Sequence, residues 1–252
     1  LTATVTDPGA SDTHTYQWSV VATTGEVIPI GTAQTFAFTP TDQGTYQVTL
    51  TVTDDDGAAV SDQAVVTATN VLPVLSLTGA STVLEGSPYT MVLGTVTDPG
   101  TDTVTQYRVN WGDGSPVELF TPAQLAVVNR TLTHTYSNGT VARTITVDLI
   151  DEDGTHLNAG ILALTVQNVS PVLAGLIRNA TTLSENGSLT LSGTFSDPGT
   201  QDAFTVSINW GDGSAVQQIV RPAGSTDFTA IHTYLDDIPT GTASDLYPIS
   251  VT

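Results

Sequence analysis

The feature that most constrains this chain is a repeat of about 98 residues. Asp98-Pro99-Gly100 recurs as Asp197-Pro198-Gly199 and stands earlier as Asp7-Pro8-Gly9. Trp111-Gly112-Asp113-Gly114-Ser115 returns as Trp210-Gly211-Asp212-Gly213-Ser214, and His134-Thr135-Tyr136 as His232-Thr233-Tyr234. Asn70-Val71-Leu72-Pro73 has its counterpart in Asn168-Val169-Ser170-Pro171, and Asp54-Asp55-Asp56-Gly57 in Asp151-Glu152-Asp153-Gly154. Landmarks that keep one order and one period define a tandem array. The Asn-Val-x-Pro junctions divide it into residues 1–69, read as a repeat lacking its first strand, 70–167, a complete repeat, and 168–252, a repeat lacking its last strand. The chain therefore reads as part of something longer.

Alternation of apolar and polar residues marks the strands of the complete repeat. They are expected at 74–83 (A), 90–97 (B), 103–111 (C), 117–120 (C′), 126–135 (E), 142–150 (F) and 159–166 (G), with residues 121–128 carrying at most one helical turn. Short strands separated by Gly, Pro and Asp turns predict an all-β chain of tandem immunoglobulin-like β-sandwiches in an elongated array. The first repeat supports this independently, because Trp18 sits mid-strand and Asp42-Gln43-Gly44-Thr45-Tyr46 has the pattern of a tyrosine corner.

Composition then removes function classes. The 252 residues include no Cys, which excludes disulfides, thiolate metal sites and a Cys nucleophile. The 25 acids face only 5 basic residues, and the net charge of −20 argues against nucleic acid and anionic membranes as partners. Apolar runs are strand-sized, so no membrane insertion is expected, and no signal peptide is visible. No Gly-x-Ser-x-Gly elbow, His-Glu-x-x-His or phosphate-binding Gly loop occurs. The acids gather in loops at repeat poles with no distinct cleft, so no enzyme is expected. The formal sequons at Asn129, Asn138, Asn179 and Asn186 read as accidents of Thr and Asn richness.

The second and third repeats resemble PKD-type (polycystic kidney disease) repeats of bacterial surface and secreted proteins. The resemblance rests on Trp111 to Gly114, His134 to Tyr136, Ile145 to Asp148 with Asp151 to Gly154, the Asn-x-x-Pro junctions, and the copies at Trp210 to Gly213 and His232 to Tyr234. The first repeat departs, with Trp18-Ser19-Val20-Val21 where Trp-Gly-Asp-Gly is expected, and reads as a neighbouring immunoglobulin-like variety. The resemblance implies an extracellular or cell-surface location and a role as spacer and adhesion module. Neighbouring repeats would be the immediate partners, and a cell-surface protein or polysaccharide a further one.

The acidic loops are the candidate sites. Immunoglobulin topology returns the start of strand A and the B–C and F–G loops to one pole, which would gather Asn70, Asp98, Asp102, Asp151 and Asp153. Crowded carboxylates repel unless a cation screens them, and hard oxygen donors without His or Cys suit Ca2+. At the opposite pole Glu85, matched by Glu185, faces the next repeat, where Asn168, Asp197 and Asp202 would complete an interdomain calcium site by analogy with cadherin-type linkers. The alternative is ordinary turn chemistry, in which Asp accepts backbone N–H bonds and Gly takes positive φ. Asp113 and Asp212 read as hairpin-turn residues, and His134 and His232 as structural. A competing function, a carbohydrate- or protein-binding adhesion module, would need exposed aromatics; Tyr89, Tyr107, Phe120 and Phe228 are those that the cores could spare. Strand addition at the array ends is a third possibility.

Overall fold

The computed structural model describes residues 1–9, 11–235 and 244–252. The first repeat contributes β1 (His14–Ala22), β2 (Gly44–Asp54) and β3 (Ala59–Ala68), an antiparallel sheet in that order. Every second residue of β1 and β2 turns inward, so Trp18 and Val48 are buried with Ala3 against Phe36, Phe38 and Leu50. Trp18, Phe36 and Phe38 stack in sequence at centroid distances of 5.8 and 5.9 Å. The Tyr46 hydroxyl donates to the Asp42 carbonyl at 2.8 Å, which is the tyrosine corner.

The second repeat holds β4 (Val74–Gly79), β5 (Thr82–Leu84), β6 (Pro88–Thr97), β7 (Gln106–Asn110), β8 (Glu118–Phe120), α1 (Pro122–Val127), β9 (Thr131–Thr135), β10 (Val141–Ile150) and β11 (Thr155–Gln167). Sheets ordered β4-β6-β9 and β5-β11-β10-β7-β8 enclose Leu75, Met91, Trp111, Ile145 and Val166. The third holds β12 (Val172–Arg178), β13 (Gly187–Ser196), β14 (Phe204–Asn209), β15 (Gln217–Arg221), β16 (Asp227–Tyr234) and β17 (Ser250–Val251). Its sheets, β12-β13-β16 and β15-β14-β17, cover a separate core around Leu191, Ile208, Trp210 and Phe228. The architecture is all-β, in immunoglobulin-like sandwiches, with one short helix among the described residues.

Three expectations need correction. Strand A is not continuous: β4 pairs antiparallel with β6, and after Gly79 the chain crosses so that β5 runs parallel to β11 in the other sheet. The crossing is tied by Tyr89, whose hydroxyl donates to Ala80 O at 3.0 Å in space that a Cβ on Gly79 would occupy. Strand E begins at Thr131 rather than at Ala126, because 122–127 is helical. Thr121 and Gln124 form a reciprocal capping box, Pro122 opens the helix and Leu125 is fully buried. Finally, the cores spare none of the named aromatics: Tyr89, Tyr107 and Phe228 are buried, and Phe120 packs against the second core.

Candidate metal centres at the repeat junctions

The repeated landmarks meet one another inside each sandwich. Asp113 accepts from Ser115 N at 3.0 Å to close the Trp-Gly-Asp-Gly turn, and its other oxygen lies 2.7 Å from His134 Nε2. The imidazole stacks on Trp111 at 4.8 Å, and Tyr136 donates to Trp111 O at 3.1 Å. The third repeat reproduces this with Asp212, His232, Trp210 and Tyr234, at 2.6, 4.8 and 3.1 Å. Burial pushes the Asp113 carboxyl up, but the hydrogen bonds from Ser115 and His134 outweigh it and hold the group down at about 2. Asp113, Asp212, His134 and His232 are thus fully engaged as hairpin clamps.

The three Asp-Pro-Gly loops share one local fold. The first Asp accepts from the Gly N–H: Asp7 from Gly9 at 2.7 Å, Asp98 from Gly100 at 2.8 Å, and Asp197 from Gly199 at 2.6 Å. This Asx turn uses Oδ1 and aims the second oxygen elsewhere. Asp98 Oδ2, Asp102 Oδ1 and Asp197 Oδ2 are buried and have no hydrogen-bond donor among the described residues. A buried carboxylate oxygen without a donor is costly, and two such loops lie where one repeat meets the next.

At the junction of the first and second repeats, one carboxylate oxygen each from Asp42, Asp102 and Asp153 falls within 4.8 Å of the others. The loops touch through Thr101 N, which donates to Thr41 O at 3.0 Å, and through the Gln43 amide on Asp153. Burial, then the negative charges of Asp98, Asp153, Asp42 and Glu152, raise Asp102 to about 6.

At the junction of the second and third repeats, Glu85, Asp197 and Asp202 meet within the same distance. Glu85 is only 1% exposed. Its Oε2 accepts from Gly139 N at 2.6 Å and its Oε1 from Val169 N at 2.7 Å, so one carboxylate ties the A–B turn to the E–F turn and to the linker. Backbones close in around it: a Cβ on Gly86 would strike Pro198 of the next repeat, and one on Gly139 would strike the linker at Asn168. A Cβ on Gly199 would meet the Asp202 and Glu85 carboxylates. Burial first, then Glu85 and Asp197, push Asp202 up.

The sequence-derived residues therefore divide. Asp102 and Asp153 come together with Asp98 beside them, but the third carboxylate is Asp42 from the preceding repeat, which makes this cluster interdomain. Sequence reasoning passed over Asp42 because its tyrosine corner already accounted for it. Asp151 does not join the cluster. Its Oδ1 accepts from Asp153 N at 3.0 Å and Gly154 N at 3.2 Å, and its Oδ2 sits 2.7 Å from buried His156 Nε2, a close contact rather than an aligned hydrogen bond. Among the described residues the Asn70 side chain makes no hydrogen bond, and Asn70 is not one of the residues that converge at either junction. Glu85, Asp197 and Asp202 do converge, and Asn168 lines the same cavity as the two aspartates. At each junction three carboxylates converge, and one oxygen in each, Asp102 Oδ1 at the first and Asp197 Oδ2 at the second, is buried with no hydrogen-bond donor among the described residues; this all-oxygen set without imidazole or thiolate fits Ca2+, whose remaining ligands would be carbonyls and water.

Residues 1–68 match the family model described as K319L-like, PKD domain. The repeat set apart for its Trp18-Ser19-Val20-Val21 segment is thus the one that carries the family match. No curated protein sequence matches the chain. Among solved structures it is similar to the tetra-tandem repeat in the extending region of a large adhesion protein, at 17% identity and a TM-score of 0.46, over 88% of this chain and 58% of that one. It is also similar to chicken CNTN1 FN1-FN3 domains, at 7% identity and TM-score 0.25 over 92% of this chain and 82% of that one. Chitinase ChiA74 from Bacillus thuringiensis matches at 9% identity and TM-score 0.26, over 71% of this chain and 29% of that one.

Proposed function

We propose that this chain is a non-catalytic array of immunoglobulin-like repeats, part of an extracellular or cell-surface stalk that spaces a distal functional domain, with Ca2+ held between successive repeats. The carrying observation is that carboxylates from neighbouring repeats converge at both junctions, Asp42 with Asp102 and Asp153, and Glu85 with Asp197 and Asp202. A cation shared by two repeats joins them more firmly than a linker does, because bending then breaks ligand bonds. Two of the close His–Asp pairs, His134–Asp113 and His232–Asp212, are occupied in holding hairpins against Trp111 and Trp210.

Calorimetric titration and thermal unfolding test this reading. Two Ca2+ ions should bind per chain, Asp102→Ala and Asp202→Ala should each remove one, and equal Mg2+ should not substitute. At a hundredfold excess over Kd each site stabilises the folded form by about 2.7 kcal/mol. An unchanged melting midpoint with calcium and with chelator contradicts the proposal.

A further inference from the structure

The second and third repeats fill the same end of the sandwich with different side chains. Two residues before the first aspartate of the Asp-Pro-Gly loop, and two after its last, the third repeat has Phe195 and Phe204. Their rings meet edge to face at a centroid distance of 4.8 Å. The second repeat has Val96 and Val104 at those places. Valine falls short of where a phenyl ring reaches, and here a cavity of about 580 Å3 opens between the end of β6 and the start of β7. Val96, Val104, Tyr107, Arg130, Asp98 and Asp102 line it. Its size is that of a small-ligand site, and all its walls belong to the complete repeat.

The cavity has a cationic wall and an acidic end. β6 pairs with β9 only as far as Val92, opposite Thr131, whereas β13 pairs with β16 through Thr194, opposite Asp227. Arg130 stands where the strand pairing stops. Its Nε donates to Leu93 O at 2.9 Å and its Nη2 to Gly94 O, and the guanidinium carbon lies 5.5 Å from the centroid of the Tyr107 ring. Asn129 and Arg130 both take left-handed φ, +50° and +56°, which non-glycine residues rarely adopt. Arg130 N donates to Leu125 O at 2.7 Å and closes that corner against the helix. At the other end stand Asp98 and Asp102. Asp98 is not one of the Asp42, Asp102 and Asp153 group, so the calcium reading leaves its charge unused.

We propose that this cavity binds an aromatic ring that carries a positively charged group. The ring lies between Val96 and Val104, where the third repeat supplies Phe195 and Phe204 from its own chain, and the Arg130 guanidinium gives it a cation–π neighbour. The charged group points toward Asp98. A partly desolvated carboxylate favours a cation and repels an anion, so an aromatic acid of the same size is excluded. The chemistry is shared by a free aromatic amine and by an aromatic residue next to Lys or Arg in a partner polypeptide. The proposal stands apart from the calcium reading, because the ring site needs no metal ion.

Methyl-resolved NMR titration of the whole chain in chelator is the test, with phenethylamine, phenethyl alcohol, 3-phenylpropionate and N-acetyl-Phe-Lys-amide as probes. Phenethylamine should shift the Val96 and Val104 methyl signals with a Kd on the order of 1 mM, as suits a ligand of its size. Tighter binding of the peptide amide assigns the group to a partner polypeptide, and weaker binding to a free amine. Val96→Phe with Val104→Phe, the pair that the third repeat already holds, should abolish binding. Asp98→Asn keeps a side-chain oxygen for Gly100 N; it should weaken phenethylamine about threefold and leave phenethyl alcohol unchanged. If the double substitution fails to fold, Asp98→Asn decides alone. Unshifted Val96 and Val104 signals, full affinity in the double variant, or 3-phenylpropionate binding as tightly as phenethylamine overturns the proposal. The calcium response of the melting midpoint is read on the same samples and stands or falls separately.

Discussion

The two junctions bring together the same number of carboxylates, but they organise them differently. Between the second and third repeats, backbone amides of Gly139 and Val169 hold Glu85 in place, and glycine contacts leave no slack around it. Between the first and second, Asp42, Asp102 and Asp153 lie nearer the surface, and one backbone hydrogen bond and one side-chain amide join the loops. A carboxylate satisfied by backbone donors is a structural part whether or not a cation is present. Carboxylates arranged chiefly against one another depend on a cation for their balance. The second junction should therefore keep its geometry in chelator, and the first should respond more strongly to calcium.

The largest expected effect is at Glu85. Glu85→Ala leaves the Gly139 and Val169 amides without their acceptor in a buried place and should cost about 3 kcal/mol in chemical unfolding. Asp42→Ala in chelator should change stability by no more than about 0.5 kcal/mol. Equal costs at the two positions would erase the distinction between the junctions. Next is packing: Gly139→Ala places a methyl group into the linker backbone and should cost about 1–3 kcal/mol, whereas Gly175→Ala, with open space around its Cβ, should be close to neutral.

Acidity gives a smaller effect whose sign differs between regions. Asp102 has a folded value of about 6 against the ordinary 3.8 of an aspartate. The folded state therefore holds the proton more tightly, and the associated stability is complete below about pH 3.8 and lost as pH rises through 6. In chelator, acidification from pH 7 to 5 should thus strengthen the first junction, and Asp102→Asn should flatten that response. Asp113, held down at about 2, behaves oppositely: its contribution is present above 3.8 and lost as pH falls through 2. Urea unfolding across pH separates the two. A single monotonic trend in wild type and in Asp102→Asn would show that the first junction carries no charge strain.

Much of this architecture was legible in the sequence because its signals are local and repeated. Alternation in Tyr16-Gln17-Trp18 and in Thr144 to Ile150 sets strand faces directly, and the Asp-x-Gly-x-Tyr pattern placed the corner at Tyr46. The convergence of Glu85 with Asp197 and Asp202 followed from topology alone, since an A–B turn and the next repeat's B–C loop share a pole. What escaped was conditional on packing. Thr121-Pro122-Ala123-Gln124 is a capping box in plain view, yet the apolar run from Ala126 to Val128 reads equally as strand, and only the burial of Leu125 decides it. Asp151 lies outside the carboxylate cluster, beside His156, and a turn acid and a cluster acid look alike in sequence. The pairing of Asp113 with His134 left a fainter trace: the two motifs appear together in the second and third repeats and are missing together from the first.

Small-angle scattering of the whole chain, in Ca2+, in Mg2+ and in chelator, tests the central claim most directly, with Asp102→Ala and Asp202→Ala alongside and dilute enough to stay monomeric. Calcium alone should narrow the distribution of overall dimensions in the wild-type chain. Asp102→Ala should abolish most of that narrowing, and Asp202→Ala a smaller part. Identical scattering in calcium and chelator would contradict the account, leaving the junction carboxylates as turn formers and the linkers as the sole source of stiffness.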